Sequence, residues 1–301
     1  MLSGPILITG ANGFVGRHLC GLLASDAVAF AGDVTRPRVV LRQVRATRPA
    51  AVVHLAAHSS VAESWARPTE IWRVNVLGTV NVLAAVATEQ PDARVLVVST
   101  GDVYGAASME PIREDRPFRP LSPYASSKAS AELACSQARR SEKLDVVVAR
   151  AFPQIGPGQD ERFAVGSWAG QIARLELKGG GTLTVGDTSV RRDLTDVRDA
   201  CEAYKRLLVP SVPSGVYNVA SGLAVEMRDV LNSLVASARC PIDVRTEEER
   251  IRGWDIPVLC GDPQRLRSAT GWAPKIPLEQ TLMEALEDAR DRVESRGVTR
   301  V

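Results

Sequence analysis

The sequence predicts an α/β protein built on a doubly wound parallel sheet, with a smaller and more irregular α/β lobe following it. Two observations predict this. Short, unbroken apolar runs alternate with segments of helical apolar spacing as far as residue 150. Such runs are what parallel strands look like when helices cover both faces of their sheet. The first of these runs also ends in a glycine-rich turn that opens a helix.

Residues 5–9 (PILIT) are the first predicted strand, and residues 18–24 continue as a helix beyond the glycines. An apolar strand resumes at 28–30. Residues 52–57 (VVHLAA) and 95–99 (VLVVS) are two further strands, with helical periodicity at 72–87 between them. A longer helix begins near Tyr124 and runs to about Arg140, and a strand follows at 145–150 (DVVVAR). Residues 152–159 (FPQIGPGQ) carry two prolines and two glycines, a composition that excludes regular structure. Beyond them, helices at 165–178, 227–236 and 278–293 mix with short strands and prolines. The expected division is a nucleotide-type domain, 1–150, and a substrate lobe, 151–301, with residues of about 186–210 returning to the first. In open α/β sheets ligands bind beyond the carboxyl ends of the strands, which puts the site between the two parts.

Bulk composition excludes several classes of function. The 301 residues are 45% apolar and 24% charged, with a net charge of +2, too little for a nucleic-acid or membrane-surface partner. The five cysteines are odd in number, widely spaced and without a Cys-x-x-Cys pair, which argues against a disulfide framework and a zinc site. His54 and His58 stand four apart, but His54 lies in a strand-like run, so no metal site is expected. No apolar run approaches 18 residues, and the glycine turn comes too early for a secretory signal. The expectation is a cytoplasmic protein with no membrane span.

The turn itself reads Thr9-Gly10-Ala11-Asn12-Gly13-Phe14-Val15-Gly16. Gly10 permits a tight turn, Gly13 lets a pyrophosphate approach the backbone, and Gly16 lets the helix pack closely on the strand. The free N–H groups of the first helical turn then meet the phosphates. This is a Rossmann-type dinucleotide signature, and it predicts NAD or NADP against Gly10, Asn12, Gly13, Phe14, Val15 and Gly16. Asp33 follows Gly10 at nearly the spacing of an acid that binds the adenosine ribose. Arg17, Arg36 and Arg38 either pair with a 2′-phosphate or sit in solvent, so the choice between NAD and NADP stays open.

Tyr124-Ala125-Ser126-Ser127-Lys128 puts a phenol and an ammonium on one face of a helix. A phenol titrates near pH 10, and a nearby ammonium lowers that value. Such a Tyr exchanges a proton with a carbinol oxygen while hydride moves to or from nicotinamide. Thr100 ends an apolar strand, where its hydroxyl can hold the carbonyl oxygen. A five-residue Tyr–Lys pair is weak evidence singly; the order glycine turn, Thr, Tyr, Lys is strong.

With these motifs in place, the chain resembles the extended short-chain dehydrogenase/reductases of the NAD-dependent epimerase/dehydratase group. The residues that carry the likeness are TGANGFVG (9–16), HLAA (54–57), NVLGT (75–79), STGDVYG (99–105), YASSK (124–128) and RRDLTDVRD (191–199). A weaker echo continues through RIRGWD (250–255) and TGWAPKIPLEQTL (270–282). Within the group it is most similar to GDP-4-keto-6-deoxymannose reductases, through a shortened segment between strands two and three, TGDVYG, IGPGQ (155–159) and QIAR (171–174). The resemblance implies that Thr100, Tyr124 and Lys128 are catalytic. It implies that Leu55, Ala56, Ala57 and Asn75 seat the cofactor, and that Asp33, with Val34, contacts the adenine rather than the ribose. It also implies that Arg192 and Arg252 grip a nucleotide diphosphate, a task suited to a bidentate guanidinium, and that the protein is a homodimer paired through the helices near 75–88 and 124–140.

Two departures bear on the reaction. Dehydratases of the group carry an acid–base pair directly after the catalytic Thr, whereas this chain has Gly101-Asp102, a single short carboxylate facing the substrate. Pro153 stands where relatives have Asn, removing an amide side chain and a backbone donor near the substrate. The reading is therefore NAD(P)H-dependent reduction of the C4 ketone of a nucleotide-linked 4-keto-6-deoxyhexose, GDP-linked by preference. The rivals are a nucleotide-sugar 4-epimerase with tightly held NAD, a dehydratase, which the missing carboxylate disfavours, and a non-catalytic nucleotide-binding regulator, which an intact Thr–Tyr–Lys set speaks against.

Overall fold

Strand β1 (Ile6–Thr9) is buried at every position, as befits the middle of a sheet. The computed structural model describes residues 4–107, 110–250 and 255–298. After β1 come α1 (Phe14–Leu23), β2 (Ala27–Ala29), α2 (Pro37–Thr47) and β3 (Ala51–His54). Helices α3 (Val61–Ala66), α4 (Pro68–Trp72) and α5 (Gly78–Glu89) follow, the last two joined through a π-helical turn, Arg73–Leu77. Next are β4 (Arg94–Thr100), α6 (Pro123–Ser141) and β5 (Val146–Ala151). The second half contains β6 (Gln154–Ile155), α7 (Ala164–Glu176), β7 (Gly181–Val185), β8 (Arg191–Asp193), β9 (Thr195–Asp196), α8 (Val197–Leu207) and β10 (Val216–Val219). It ends with β11 (Ala224–Glu226), α9 (Met227–Ala236), β12 (Ile242–Thr246), β13 (Val258–Leu259), α10 (Gln264–Thr270) and α11 (Leu278–Val298).

The main sheet has the order β10-β5-β4-β3-β1-β2, all parallel. One face is closed by α1, α8 and Trp272, which pack on Ile6, Ile8, Val53, Leu96 and Val147. The other is closed by α2, α5 and α6 on Leu7, Val52, Val95 and Val146. Because both faces are covered, residues of either parity along a strand are apolar, which is why the strands read as unbroken runs. A separate apolar cluster gathers Trp168, Ile172, Leu231 and Leu286 from α7, α9 and α11 around β7.

Local chemistry sets the helix starts. Ser122 caps α6 by accepting from the Ala125 N–H at 3.1 Å, with Pro123 in its first turn. Asp196 caps α8 in the same way for the Arg198 N–H, at 2.8 Å. Helix α1 starts at Gly13 with no side-chain cap, which leaves its first-turn N–H groups open.

The structure corrects the sequence reading in three places. Residues 152–159 do contain regular structure: β6 pairs with β9 through Gln154↔Thr195 and Ile155↔Asp196, a pairing that needs a partner 41 residues on (195 − 154) and so leaves no local signal. Helices α2 and α8 were not anticipated as helices. Finally, Pro68–Glu89 forms one 22-residue helical rod that is long and apolar enough to cross a membrane by length and composition. Glu70 and Arg73 interrupt the apolar run, so no single stretch stood out in the sequence. The rod is apolar on two sides: Ile71, Val82, Leu83 and Val86 are buried, while Trp72, Leu77 and Val80 are exposed.

Candidate active site

The turn after β1 and the loop after β3 approach each other closely. Gly10 has φ +72°, and a Cβ there would lie 2.8 Å from the Ala56 nitrogen. At Gly16 a Cβ would lie 2.2 Å from the Gly10 carbonyl oxygen. Thr9 braces the crossing, since its hydroxyl accepts from the Ala56 N–H at 3.2 Å and meets His54 Nδ1 at 2.7 Å. His54 reaches Thr79 through its other ring nitrogen at 3.1 Å. Burial, aided by the Lys128 charge, pushes its pKa down to about 3, so the imidazole is neutral.

Beside this crossing lies a cavity of about 320 Å³, lined by residues 10–13, Phe30–Val34 and Ala56. Three of its lining residues, Gly10, Gly13 and Gly32, have no side chain, and Gly13 is the uncapped start of α1. These features fit the pyrophosphate and adenosine of a dinucleotide. Asp33 faces the cavity, its carboxylate held by the Thr35 N–H at 2.8 Å and the Thr35 hydroxyl at 2.7 Å. Those bonds hold its pKa below the usual range. Val34 is buried, whereas Arg36 and Arg38 are exposed. Phe14 and Val15 are half-buried on α1 against the core. Arg17 donates to the Asn12 carbonyl and to Gly158 in the IGPGQ loop. A larger hollow, about 580 Å³, lies between α9 and α11 and touches none of the predicted site residues. Chemistry rather than size selects the candidate.

Leu55, Ala56 and Ala57 follow β3 directly, and Leu55 N–H extends the strand to Thr9 at 3.2 Å. Asn75, fully buried in the π-helical turn, receives the His58 N–H at 2.9 Å. It donates to the His58 carbonyl at 3.1 Å and to the Ser127 hydroxyl at 2.9 Å. Both its N–H groups are thus spent tying the loop after β3 to α6.

Thr100 ends β4, and Tyr124 and Lys128 stand one turn apart on α6. The Thr100 hydroxyl accepts from the Asp102 N–H at 3.2 Å and hydrogen-bonds the Tyr124 phenol. The expected depression of Tyr124 by Lys128 is not what the structure shows. Burial first, and then the Asp102 carboxylate, push the phenol above its ordinary value, with the Thr100 bond opposing. The Lys128 Nζ instead donates to the Val98 carbonyl at 2.6 Å, and burial lowers its pKa to about 8. Side-chain direction, which spacing does not fix, accounts for the difference.

Asp102 is raised by burial, opposed by Arg192 and by Thr100, with Asp255 adding to the rise. Arg192 donates to the Ile256 carbonyl at 2.6 Å and the Arg191 carbonyl at 2.9 Å, so it faces Asp102 while anchoring the segment after residue 255. Arg252 lies outside the described residues. Pro153 offers only its carbonyl, which accepts from the Thr195 N–H at 3.0 Å.

Four residues absent from the sequence reading belong to this region. The Gln154 side chain donates to the Tyr204 hydroxyl, yet its Oε1 is buried without a partner, as is the neighbouring Thr195 hydroxyl. Tyr204 is itself close enough to Tyr124 for the two phenols to influence each other. Buried polar atoms without partners are rare in folded proteins, and two of them beside the reacting centre fit a polar ligand. Glu132, the fourth, stands one turn beyond Lys128 on α6; a carboxylate at that spacing among Ala129 and Cys135 was the available signal.

Comparison with known proteins agrees with this geometry. The family model for GDP-mannose 4,6 dehydratase matches residues 25–285. The GDP-6-deoxy-D-mannose reductase of Pseudomonas aeruginosa is 37% identical over 96% of this chain and 98% of its own. A UDP-glucose 4-epimerase from Mycolicibacterium smegmatis is 28% identical over 95% of this chain and 98% of its own. Among solved structures, RMD from Pseudomonas aeruginosa complexed with NADPH superposes with a TM-score of 0.88 at 35% identity, covering 96% of this chain and all of that one.

Gly16→Ala forces its methyl into the Gly10 carbonyl and will weaken dinucleotide binding before it unfolds the sheet. NADPH fluorescence titration should show at least a tenfold weaker Kd with near-UV circular dichroism retained; unchanged affinity would remove the turn from the site.

Proposed function

The chain belongs to the GDP-mannose 4,6-dehydratase family of extended short-chain dehydrogenase/reductases, and on that premise we propose that it reduces the C4 ketone of a nucleotide-linked 4-keto-6-deoxyhexose, with GDP the favoured nucleotide. The observation that supports this reading is the Thr100 hydroxyl bonded to the Tyr124 phenol, with Lys128 one turn on along α6 and burial keeping the phenol protonated. A reductase needs an acid at this point.

When bound, reduced NAD(P)H supplies the hydride. Thr100 holds the ketone oxygen in line with the phenol, and Tyr124 delivers its proton to that oxygen as it takes on charge. Lys128, whose Nζ donates to the Val98 carbonyl at 2.6 Å, would hold the nicotinamide ribose of a bound dinucleotide. Arg192, with Arg252, receives the substrate diphosphate. Gly101-Asp102 leaves one short carboxylate directly after Thr100, so the acid–base pair with which the group's dehydratases expel water is incomplete there. Pro153 lacks the amide side chain and backbone donor that relatives present there.

The same reading places the protein in the cytoplasm as a homodimer. Its five cysteines are unpaired, which suits a reducing compartment. Trp72, Leu77 and Val80 on the Pro68–Glu89 rod and Leu133 on α6, 61% exposed, form the apolar surface that a second copy would cover. Leu133→Glu should convert the dimer to a monomer in sedimentation analysis; a wild-type monomer would contradict the assignment.

Mixing the protein with NADPH or NADH and GDP-, UDP- or dTDP-linked 4-keto-6-deoxyhexoses should consume reduced cofactor stoichiometrically with one of them. Tyr124→Phe should lower that rate by at least about a thousandfold while cofactor still binds. No consumption, together with NAD that co-purifies, would point instead to a 4-epimerase. Arg192→Ala should raise KM for the sugar nucleotide at least about tenfold and leave that for the cofactor nearly unchanged. An equal effect on both would sink its assigned role.

A further inference from the structure

Glu132 is a charged residue in a place where charge is costly. It is 5% exposed, on α6, one helical turn past Lys128 and two past Tyr124, so the three side chains form one stripe. Its carboxylate is held from two strands. The Ser99 hydroxyl on β4 donates to Oε1. Arg150 on β5 is bidentate, with Nε at 3.1 and 3.0 Å from the two oxygens and Nη2 at 2.8 Å from Oε2. Arg150 is fixed in turn: Nη1 donates to the Tyr104 hydroxyl at 2.8 Å and the Glu114 carbonyl at 3.1 Å. Its guanidinium lies 4.8 Å from the Tyr104 ring centroid and 4.9 Å from that of Phe118. Tyr104 donates onward to Asn218 at 2.7 Å.

Stability alone explains such a pair poorly, since a buried Arg–Glu pair is often no better than apolar residues of the same volume. Its position relative to Lys128 offers a better reason. The groups that face the Lys128 ammonium are the Glu132 carboxylate and the Cys135 thiol on its own helix, the neutral His54 on β3 and the Val98 carbonyl on β4. Tyr124 stands one turn back, and Arg150 lies beyond Glu132. Of these, only Glu132 brings a full negative charge.

We propose that Glu132 is a positioning residue of the active site: pinned by Arg150 and Ser99, it is the fixed counter-charge that keeps the Lys128 ammonium in place and charged. Glu132 touches neither substrate nor cofactor, and acts only through Lys128. The inference rests on the reading above in one respect, that Lys128 serves bound dinucleotide.

The sign follows from burial. Lys128 sits near pH 8 with Glu132 present, so dinucleotide affinity falls as pH rises through that value and the ammonium is lost. Removing the negative charge makes the ammonium harder to keep, and the midpoint moves down. The test is the Kd for NADPH, and in parallel NADH, by fluorescence titration from pH 6.5 to 10. In Glu132→Gln, which leaves the Arg150 charge uncompensated, the midpoint should drop by about one pH unit. In the double variant Glu132→Leu with Arg150→Met, both charges leave together, so the shift should be smaller and in the same direction. The double variant also decides the matter if the single one fails to fold. In Lys128→Arg the midpoint should vanish, because a guanidinium stays charged. Lower melting temperatures with an unmoved midpoint in the folded variants would make Glu132 merely structural and overturn the proposal, as would a midpoint that survives in Lys128→Arg. A protein that shows the expected shifts but reduces no 4-keto sugar would sink the proposed reaction and leave this inference standing.

Discussion

Between β1 and β3 the strand order reverses, and the segments that leave these two strands go to opposite faces of the sheet. Helix α1 joins the face shared with α8, while the rod ending in α5 joins the face shared with α2 and α6. Two departing chains cannot both cover the carboxyl edge between them, so a crevice opens there. The crevice stays narrow because Gly10 packs against Ala56 with no room for a side chain, and Gly16 lets α1 lie on the turn. Several of the proposed groups lie along this carboxyl edge: the open α1 N-terminus, the loop after β3, and Thr100 at the end of β4.

Burial dominates the chemistry of that edge. It lowers His54 and Lys128, and it raises Tyr124 and Asp102, in each case as the first cause. Desolvation disfavours the charged form of any group, so an edge this enclosed tends toward neutral side chains unless counter-charges are built in. Glu132 and Arg150 supply one such pair behind the strand, and Arg192 faces Asp102 in front of it. The phenol is held above its ordinary value by burial and by the Asp102 carboxylate, with the Thr100 bond opposing.

Much of this was legible in the sequence. Unbroken apolar runs marked the sheet because both faces are covered, and the glycine turn marked its first βα junction. Thr100, Tyr124 and Lys128 were singled out by type, order and spacing, and in the structure the Thr100 hydroxyl bonds the Tyr124 phenol while Lys128 stands one turn on along α6. Other features were not legible. The pairing of β6 with β9 joins segments far apart in the chain and leaves no periodic trace. Helix α2 is short and rich in arginine, so its apolar stripe rests on few residues, with Val40 and Val44 buried. The partners of the Asn75 amide, His58 and Ser127, come from a different loop and a different helix. Lys128 was expected to act on the phenol directly, and its Nζ turns to the Val98 carbonyl.

The sequence by itself determined the class of fold and the nucleotide turn, and it singled out Thr100, Tyr124 and Lys128 as the candidate reacting side chains. It could do so because those properties depend on periodicities of two and 3.6 residues, on the conformations open to glycine, and on chemistry that only certain side chains possess. The tertiary structure alone decided the protonation behaviour of Tyr124 and Lys128, the partners of Asn75 and Arg192, and the unpaired polar atoms of Gln154 and Thr195. Each of those depends on which strands and loops enclose a group and how far water is excluded from it. Burial and direction are properties of the packed chain, and no local window of sequence contains them.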